Sequence, residues 1–422
     1  MENAKTIGQL FNAAPVSDND FIPINQPNAI NPITHQPGDT RKVTVKQITD
    51  YAATRVITGS IPSPYLIALN RQFLQIKEGT ELKLTVNGLS RFYKANSDIT
   101  LSISAILDTG IITNGKDYYL FLVPDNDTVK FTLSQNKIAP NGFTAGVVKL
   151  IGGFHTLCAD AGSGMTYDEG GVTKNHPLNG YTAGDILPQS VWCLNHRPYS
   201  EPEGMFYVSS LDFWCDIYLQ SGSGANTKSV YQGAITRNRQ YVDFVEDLIC
   251  VKKELLDDGE FAAAMMGSNE MSVVAGASQA GATTGGAGGR VDTNGRRMLS
   301  IYGAEEGCGS SWQFLRTTSA GGYEGSMVGQ ISPNDGVSPL TQGQFWSANA
   351  RTVSDSQGNL ILNPAPQSGG KGSFYYMCAA LLAGGVWSAG AYCGSRARVA
   401  SAARSRASSG CGGRGRSRAL HG

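Results

Sequence analysis

The chain has 422 residues, 16% of them charged, and its 34 basic and 34 acidic residues cancel to a formal charge of zero. That length allows two or three domains with ordinary cores, and neutrality gives no general reason to expect a nucleic-acid or membrane partner. Eight scattered cysteines do not make a disulfide framework, and no apolar run approaches the ~20 residues that span a bilayer. The opening MENAKTIGQLFNAAP lacks the basic-then-apolar pattern of a secretory signal. With 52 glycines the balance is that of a loop-rich β protein, soluble and made in a reducing compartment.

Residues 12–40, with Pro15, Pro23, Pro27, Pro32 and Pro37, suit an extended arm. Thr44 and Gln47 then have the spacing of a capping box that opens a short helix. From about residue 60 the pattern switches to period two. Leu82, Leu84 and Val86 alternate with polar residues, as do Ile99, Leu101 and Ile103, and YYLFLV and TVKFTLS flank the turn-forming PDND. These strands predict a small antiparallel sandwich ending near KLIGGF. Residues 153–200 are rich in Gly, Pro and Asn and read as a connecting segment.

From about residue 204 a second, irregular α+β domain is expected. MFYVSSLDFWCDIYLQ offers two strands, and RNRQYVDFVEDLICVKKELLDDGEF a helix with Val245, Leu248, Ile249, Leu255 and Leu256 on one face and Asp247, Glu254 and Asp257 on the other. SVVAGASQAGATTGGAGGRVDTNGRR reads as a surface loop of low complexity, and the run from Phe374 to Ala383 as a core strand. The divisions are therefore an arm and short helix over 1–57, a sandwich over 58–152, a connector over 153–200 and a second domain over 201–422. No sustained βαβ alternation supports a nucleotide-binding fold.

The last 39 residues contain nine Gly, eight Ala, seven Ser and seven Arg, with no Asp, Glu or Lys. Composition alone allows a disordered RNA-binding tail. Against that, the arginines keep no RGG register, Trp387 and Cys393 interrupt the stretch, and the apolar FYYMCAALLAGGVW leads straight into it.

Signs of catalysis are few. Asp168 and Glu169 are adjacent acids in a turn-like TYDEGG, whereas a polysaccharide-cleaving enzyme needs two carboxylates facing across a cleft. GGAGGR near residue 288 follows no strand and opens no helix, which argues against a phosphate cradle. Neither a GxSxG elbow nor an HExxH helix occurs, and the QPN at Gln26–Asn28 lies in the arm with no WND to follow it. His155-x2-Cys158 and Cys193-x2-His196 have the residue types and internal spacing of a tetrahedral zinc site, with a packed histidine and buried thiols as the alternative. No other cofactor is indicated.

Six segments carry a resemblance. They are GGFH (152–155), SVWCLNHRP (190–198), EGMFYV (203–208), FWCDIYLQSG (213–222), LLAGGVWSAG (381–390) and the stretch from CGSRAR to GGRGR (393–416). Together they resemble the variable proteins of diversity-generating retroelements, in particular the phage-tail type called the major tropism determinant. The resemblance implies a C-type-lectin-like fold of the formylglycine-generating-enzyme type over 201–422, with a variable region at about 384–416. It also implies a virion protein at the phage tail tip, assembled in the bacterial cytoplasm. Its partners would be a host-surface receptor, protein or glycan, and other tail proteins through the N-terminal arm, in a homotrimer. Fold similarity to the sulfatase-activating enzymes would not carry their activity with it.

In such systems adenines are miscopied, so AAC codons become NNC codons, which cannot encode Lys, Glu, Gln, Met or Trp. None of those five occurs between Ser388 and Cys411. The resemblance places the diversified, ligand-binding positions at Ser388, Ala389, Tyr392, Ala397, Val399, Ser401, Ala402, Ala403, Ser405, Arg406, Ser408 and Gly410, with Val386 and Cys411 at the margin. It makes Trp387, Gly390, Gly394, Arg396, Arg398, Arg404, Gly412, Gly413 and Arg414 fixed scaffold. Among the diversified positions, Tyr392 and Arg406 are the expected hot spots.

Overall fold

The computed structural model describes the backbone of residues 21–25, 40–44, 61–126, 128–169, 171–276, 286–321, 327–328, 352–354, 360–362 and 378–421. Side chains are described for residues 61–126, 128–169, 171–276, 286–317, 380–399, 402 and 404–421. The chain divides into a unit over Met1–Ile61 and a larger one over Pro62–Gly422.

In the first unit, β1 (Phe21–Asn25) pairs antiparallel with β2 (Thr40–Thr44). Pro23 sits in this two-stranded ribbon, where among the described residues each strand is paired on one side only, a setting in which a missing N–H is tolerated. Thr44 closes β2; the helix expected after it lies outside the described residues, as does QPN.

The larger unit begins with β3 (Leu66–Ala68), β4 (Phe73–Ile76), β5 (Glu81–Val86), β6 (Leu89–Lys94) and β7 (Ile99–Ser102). The period-two reading holds here: Leu82, Leu84, Leu101 and Ile103 are buried. Strands β3, β4 and β7 form one sheet and β5 and β6 a hairpin. The hairpin meets the next strands through an edge-on contact between Tyr93 and Phe131, 4.8 Å between ring centres.

A nine-stranded sheet then joins distant parts of the chain. Its members are β8 (Asp117–Asp125), β9 (Thr128–Ser134), β10 (Lys149–His155), β13 (Trp192–Cys193), β14 (His196–Pro198), β15 (Met205–Val208), β16 (Phe213–Asp216), β17 (Glu254–Leu255) and β25 (Gly415–His421). The hairpin β11 (Thr166–Glu169) and β12 (Val172–Asn175) stands outside it. Strand β10 lies between β8 and β13 because it carries no side chain where the neighbours press closest. A Cβ on Gly152 would lie 2.6 Å from Trp192 O, and one on Gly153 2.4 Å from Tyr118 O.

This sheet crosses both expected boundaries, at 152/153 and 200/201. The stretch 153–200 is woven into the core through Phe154, Leu157, Leu178, Ile186, Leu187 and Trp192, all buried. Glycine and proline there shape turns between buried anchors; they do not mark a linker.

The expected single helix is two. Helix α1 (Tyr241–Cys250) ends at Val251, and Lys252 adopts φ +60°. Helix α2 (Asp258–Ala264) opens on a capping box in which Asp257 accepts from Glu260 N and Glu260 accepts from Asp257 N. The buried face of α1 is Phe244, Asp247 and Leu248, while Ile249 is 62% exposed. Apolar periodicity misplaced Asp247 because a buried carboxylate is stable where donors meet it: Gln220 Nε2 at 2.9 Å, Gly224 N at 2.7 Å and Arg239 Nη2 at 3.1 Å.

A second sheet contains β18 (Trp312–Gly321), β19 (Met327–Val328), β22 (Cys378–Gly384), β23 (Gly394–Ala403) and β24 (Cys411–Gly412), while β20 (Thr352–Ser354) and β21 (Leu360–Leu362) pair separately. The strand expected from Phe374 to Ala383 is described from Cys378. Of the low-complexity loop, residues 277–285 lie outside the described residues. Its flanks are built in: Val274, Ala287 and Asp292 are buried, and Asp292 accepts from Ser272 Oγ, Asn294 N and Arg296 N. Among the described residues the fold is mainly β, with two short α-helices.

His176, directly after β12, is buried with its Nε2 3.2 Å from Leu299 O and its Nδ1 accepting from Leu178 N at 3.1 Å. That arrangement needs a neutral ring, and burial lowers its pKa from 6.5 to about 4. The unfolded chain therefore takes up a proton between about pH 6.5 and pH 4 that the folded chain refuses, so stability falls as pH drops through this window. His176→Gln is expected to remove about 2 kcal/mol of that pH dependence. Urea unfolding at pH 7.5 and pH 4.5 checks this; an unchanged difference between the two pH values in the variant would refute it.

Candidate receptor-binding face

The C-terminal segment is folded as one surface on a fixed base. A short 3-10 turn, Gly390–Tyr392, leads into β23, which pairs with β22 at the margin of the second sheet. The chain then turns through 404–410 and returns as β24, parallel to β18.

Behind this surface the backbone is held by specific contacts. Arg414 is fully buried. Its guanidinium donates to Gln313 Oε1 (3.0 Å), Asp216 O (2.8 Å), Ile217 O (2.5 Å) and Glu305 O (2.7 Å). Gly413 is required beside it, since a Cβ there would lie 2.7 Å from the Phe244 ring. Trp387 is buried with Val274 and Met298, and Gly410 rests on its ring edge.

Arg398 binds the Asp258 carboxylate and carbonyl at the start of α2 and lies over the Phe261 ring, 5.1 Å from its centre. Arg404 covers Tyr241 at 5.4 Å, while its carbonyl accepts from Tyr241 N at 3.1 Å. Gly412 continues the buried run into Arg414. Gly394 lets Glu270 lie against the backbone, where the carboxylate accepts from Ser395 N (3.0 Å) and Oγ (2.7 Å). Gly390 takes φ +56° in the turn. Arg396, also expected as scaffold, is exposed at the rim of a cleft.

The positions expected to bind ligand separate by exposure. Tyr392 is 84% exposed, and Ser388, Ser405 and Arg406 are also exposed. Ala389, Ala397, Val399 and Ser408 are half-buried. Val399 packs beside Phe244 and Phe314, and Ser408 Oγ caps Gly410 N at 3.1 Å. Ala402 is buried in that apolar cluster and Gly410 is buried against Trp387, so neither presents a side chain to solvent. Ser401 and Ala403 lie on β23, with side chains outside the described set. At the margin, Val386 is half-buried and Cys411 buried. Burial and Glu270 push the Cys393 thiol up to about 11, so it is no nucleophile at neutral pH.

Beside this face is a cleft of about 690 Å³ between the β11–β12 hairpin, α2 and Ser395–Arg396, with Asp168, Glu270 and Arg296 on its walls. Sequence reasoning missed Glu270 and Asp258, the acids that hold the arginine-rich strand. Their pairing spans more than 120 residues, and no local pattern marks it. Asp168 and Glu169 are neighbours on one strand, with Glu169 paired to Lys174, and do not face each other. The amides of Gly288 and Gly289 in GGAGGR are given to Glu306 and Glu305 at 2.7 and 3.1 Å, and so are not free for a phosphate.

The four zinc candidates are not brought together. Both ring nitrogens of His155 are engaged, by Asp117 and Tyr218 at 2.9 Å each. The Cys158 thiol lies 3.1 Å from Glu305, in surroundings that push its pKa well up through burial. Cys193 donates to Asn195 Oδ1 at 3.1 Å, and His196 faces His421. Spacing suggested a site, but folding gives these four side chains separate partners in place of one another.

Residues 64–193 match the family described as the Mtd second domain. The tail fiber receptor-binding protein of Bordetella phage BPP-1 is 27% identical over 346 residues, covering 77% of this chain and 74% of that protein. Among solved structures, the Major Tropism Determinant U1 variant superposes with a TM-score of 0.58 at 22% identity, over 85% of this chain and 84% of the other. The P3c variant gives the same TM-score and coverage at 24% identity. The chain thus carries a match to the Mtd second domain over residues 64–193 and has the fold of the major tropism determinants.

Proposed function

We propose that this protein is the receptor-binding protein of a phage tail fibre, and that its face over residues 386–410 is a ligand-binding surface diversified by a retroelement. One observation carries the reading. Exposed Ser388, Tyr392, Ser405 and Arg406 project from a backbone locked from behind by buried Arg414, Trp387 and the Arg398–Asp258 pair. A rigid base lets side chains change without refolding, which is what a variable binding surface requires. The receptor-binding name of the Bordetella phage relative supports the same reading.

Ser401, Ala403 and the half-buried Ala389, Ala397, Val399 and Ser408 belong to the diversified set in this proposal, as do Ala402 and Gly410, where larger residues would act by reshaping the surface. Residues 1–57 attach the chain to other tail proteins. The assembly is a homotrimer at the virion's tail tip, put together in the bacterial cytoplasm. Its partner is a host-surface protein or glycan, and the protein performs no catalysis. A modest single-site affinity is multiplied across copies, because later contacts are effectively intramolecular.

Phage whose fibres carry residues 386–411 from another isolate are expected to change host range. Unchanged adsorption would favour the alternative of a purely structural tail or baseplate protein. Sequencing the locus from several isolates checks the diversification separately: substitutions should concentrate at the assigned codons, beside an adenine-rich imperfect repeat and a reverse transcriptase gene.

A further inference from the structure

Strands β13, β14 and β25 run side by side, and their register sets Cys193 opposite His196 and His196 opposite His421. Directly opposed residues share a face of the sheet, so the two imidazoles lie together. Their Nδ1 atoms are 3.5 Å apart and their ring centres 5.3 Å. His421 Nε2 lies 2.8 Å from Asp212 Oδ1, which also accepts from Tyr207 OH at 2.8 Å. A carboxylate at Nε2 holds the proton there and leaves His421 Nδ1 with a free lone pair aimed towards His196.

The separation is too long for a good hydrogen bond. It is close to what two ligands of one ion require, since metal–nitrogen bonds of about 2.0–2.1 Å at a tetrahedral angle put the nitrogens about 3.4 Å apart. The pair faces a cleft of about 420 Å³ that is also lined by Ser63, Gln189 and Ser209, which leaves room for water on the remaining coordination positions. Among the described residues no third His, Cys, Asp or Glu completes the group, and the Cys193 thiol is taken by Asn195.

We propose that His196 and His421 form a two-histidine site for a divalent transition-metal ion of the zinc and copper class, with Asp212 orienting His421 and water filling the open positions. Imidazole donors select that class over calcium or magnesium, which prefer oxygen. The ion joins β25 to β14, and so pins the strand that runs on from buried Arg414.

The test uses full-length protein without a histidine tag, stripped with a chelator. It carries Cys250→Ser so that the exposed thiol does not compete. Titration calorimetry with zinc chloride is expected to give one ion per chain and a higher melting temperature. His421→Ala should abolish both effects, and Asp212→Asn should weaken binding about tenfold. His421 is exposed, so its replacement should leave the metal-free melt unchanged. Failure of the parent to bind zinc, or equal binding by His421→Ala, overturns the proposal. If that variant does not fold, undiminished binding by Asp212→Asn overturns it as well.

Discussion

Replacing Arg414 with methionine is expected to cost about 3–5 kcal/mol of folding stability, enough to leave much of the chain insoluble on expression. Methionine fills most of the volume, so the loss comes mainly from polarity. Three backbone carbonyls, of Asp216, Ile217 and Glu305, and the Gln313 side chain lose their donors in a site closed to water. Those carbonyls belong to separate loops and strands, so the guanidinium clamps them against the base of the candidate binding face. Arg414→Lys should recover little, because a single ammonium cannot span four acceptors in a planar fork. Urea unfolding measures the effect, and a loss below about 1 kcal/mol for the methionine variant would remove Arg414 from this role.

Tyr392→Ala should have the opposite profile: little change in stability and a large change in binding. The ring is 84% exposed at the end of the 3-10 turn, so its loss should move stability by no more than about 0.5 kcal/mol. In the proposed receptor contact it is the largest apolar side chain on a surface of Ser, Ala and Arg, and tyrosine anchors are worth about 2 kcal/mol or more, roughly thirtyfold in affinity. Because fibres engage through several copies, phage adsorption should fall further than single-site affinity. The adsorption rate of phage bearing the variant on susceptible cells decides it. An unaltered rate, with an unaltered melt, would place the receptor contact elsewhere.

The sequence revealed most where one residue's environment is set by its neighbours. Alternation at Leu82 and Leu84 announced a half-buried strand because each side chain's face depends only on its position in the strand. The start of α2 was missed although the Asp257–Glu260 box is a local exchange of hydrogen bonds, because the apolar period ran across it as one helix. Local pattern failed where partners were remote. Asp247 was assigned to a solvent face although Gln220 and Arg239 hold it inside. The His155/Cys158 and Cys193/His196 pairs have ligand-like spacing, yet Asp117, Tyr218, Glu305, Asn195 and His421 are the partners they meet.

The C-terminal segment divides along the same line. Its composition determined that the stretch from Ser388 to Cys411 uses only residues that rewritten AAC codons can encode, and resemblance located the candidate face within it. Which of those residues reach solvent was decided by the tertiary structure. Tyr392 projects while Ala402 and Gly410 are buried, because exposure depends on Phe244, Phe314 and Trp387 packing from elsewhere in the chain. Period and composition are properties of neighbouring residues; burial belongs to the contacts that folding brings across hundreds of residues, and a sequence does not display those contacts one position at a time.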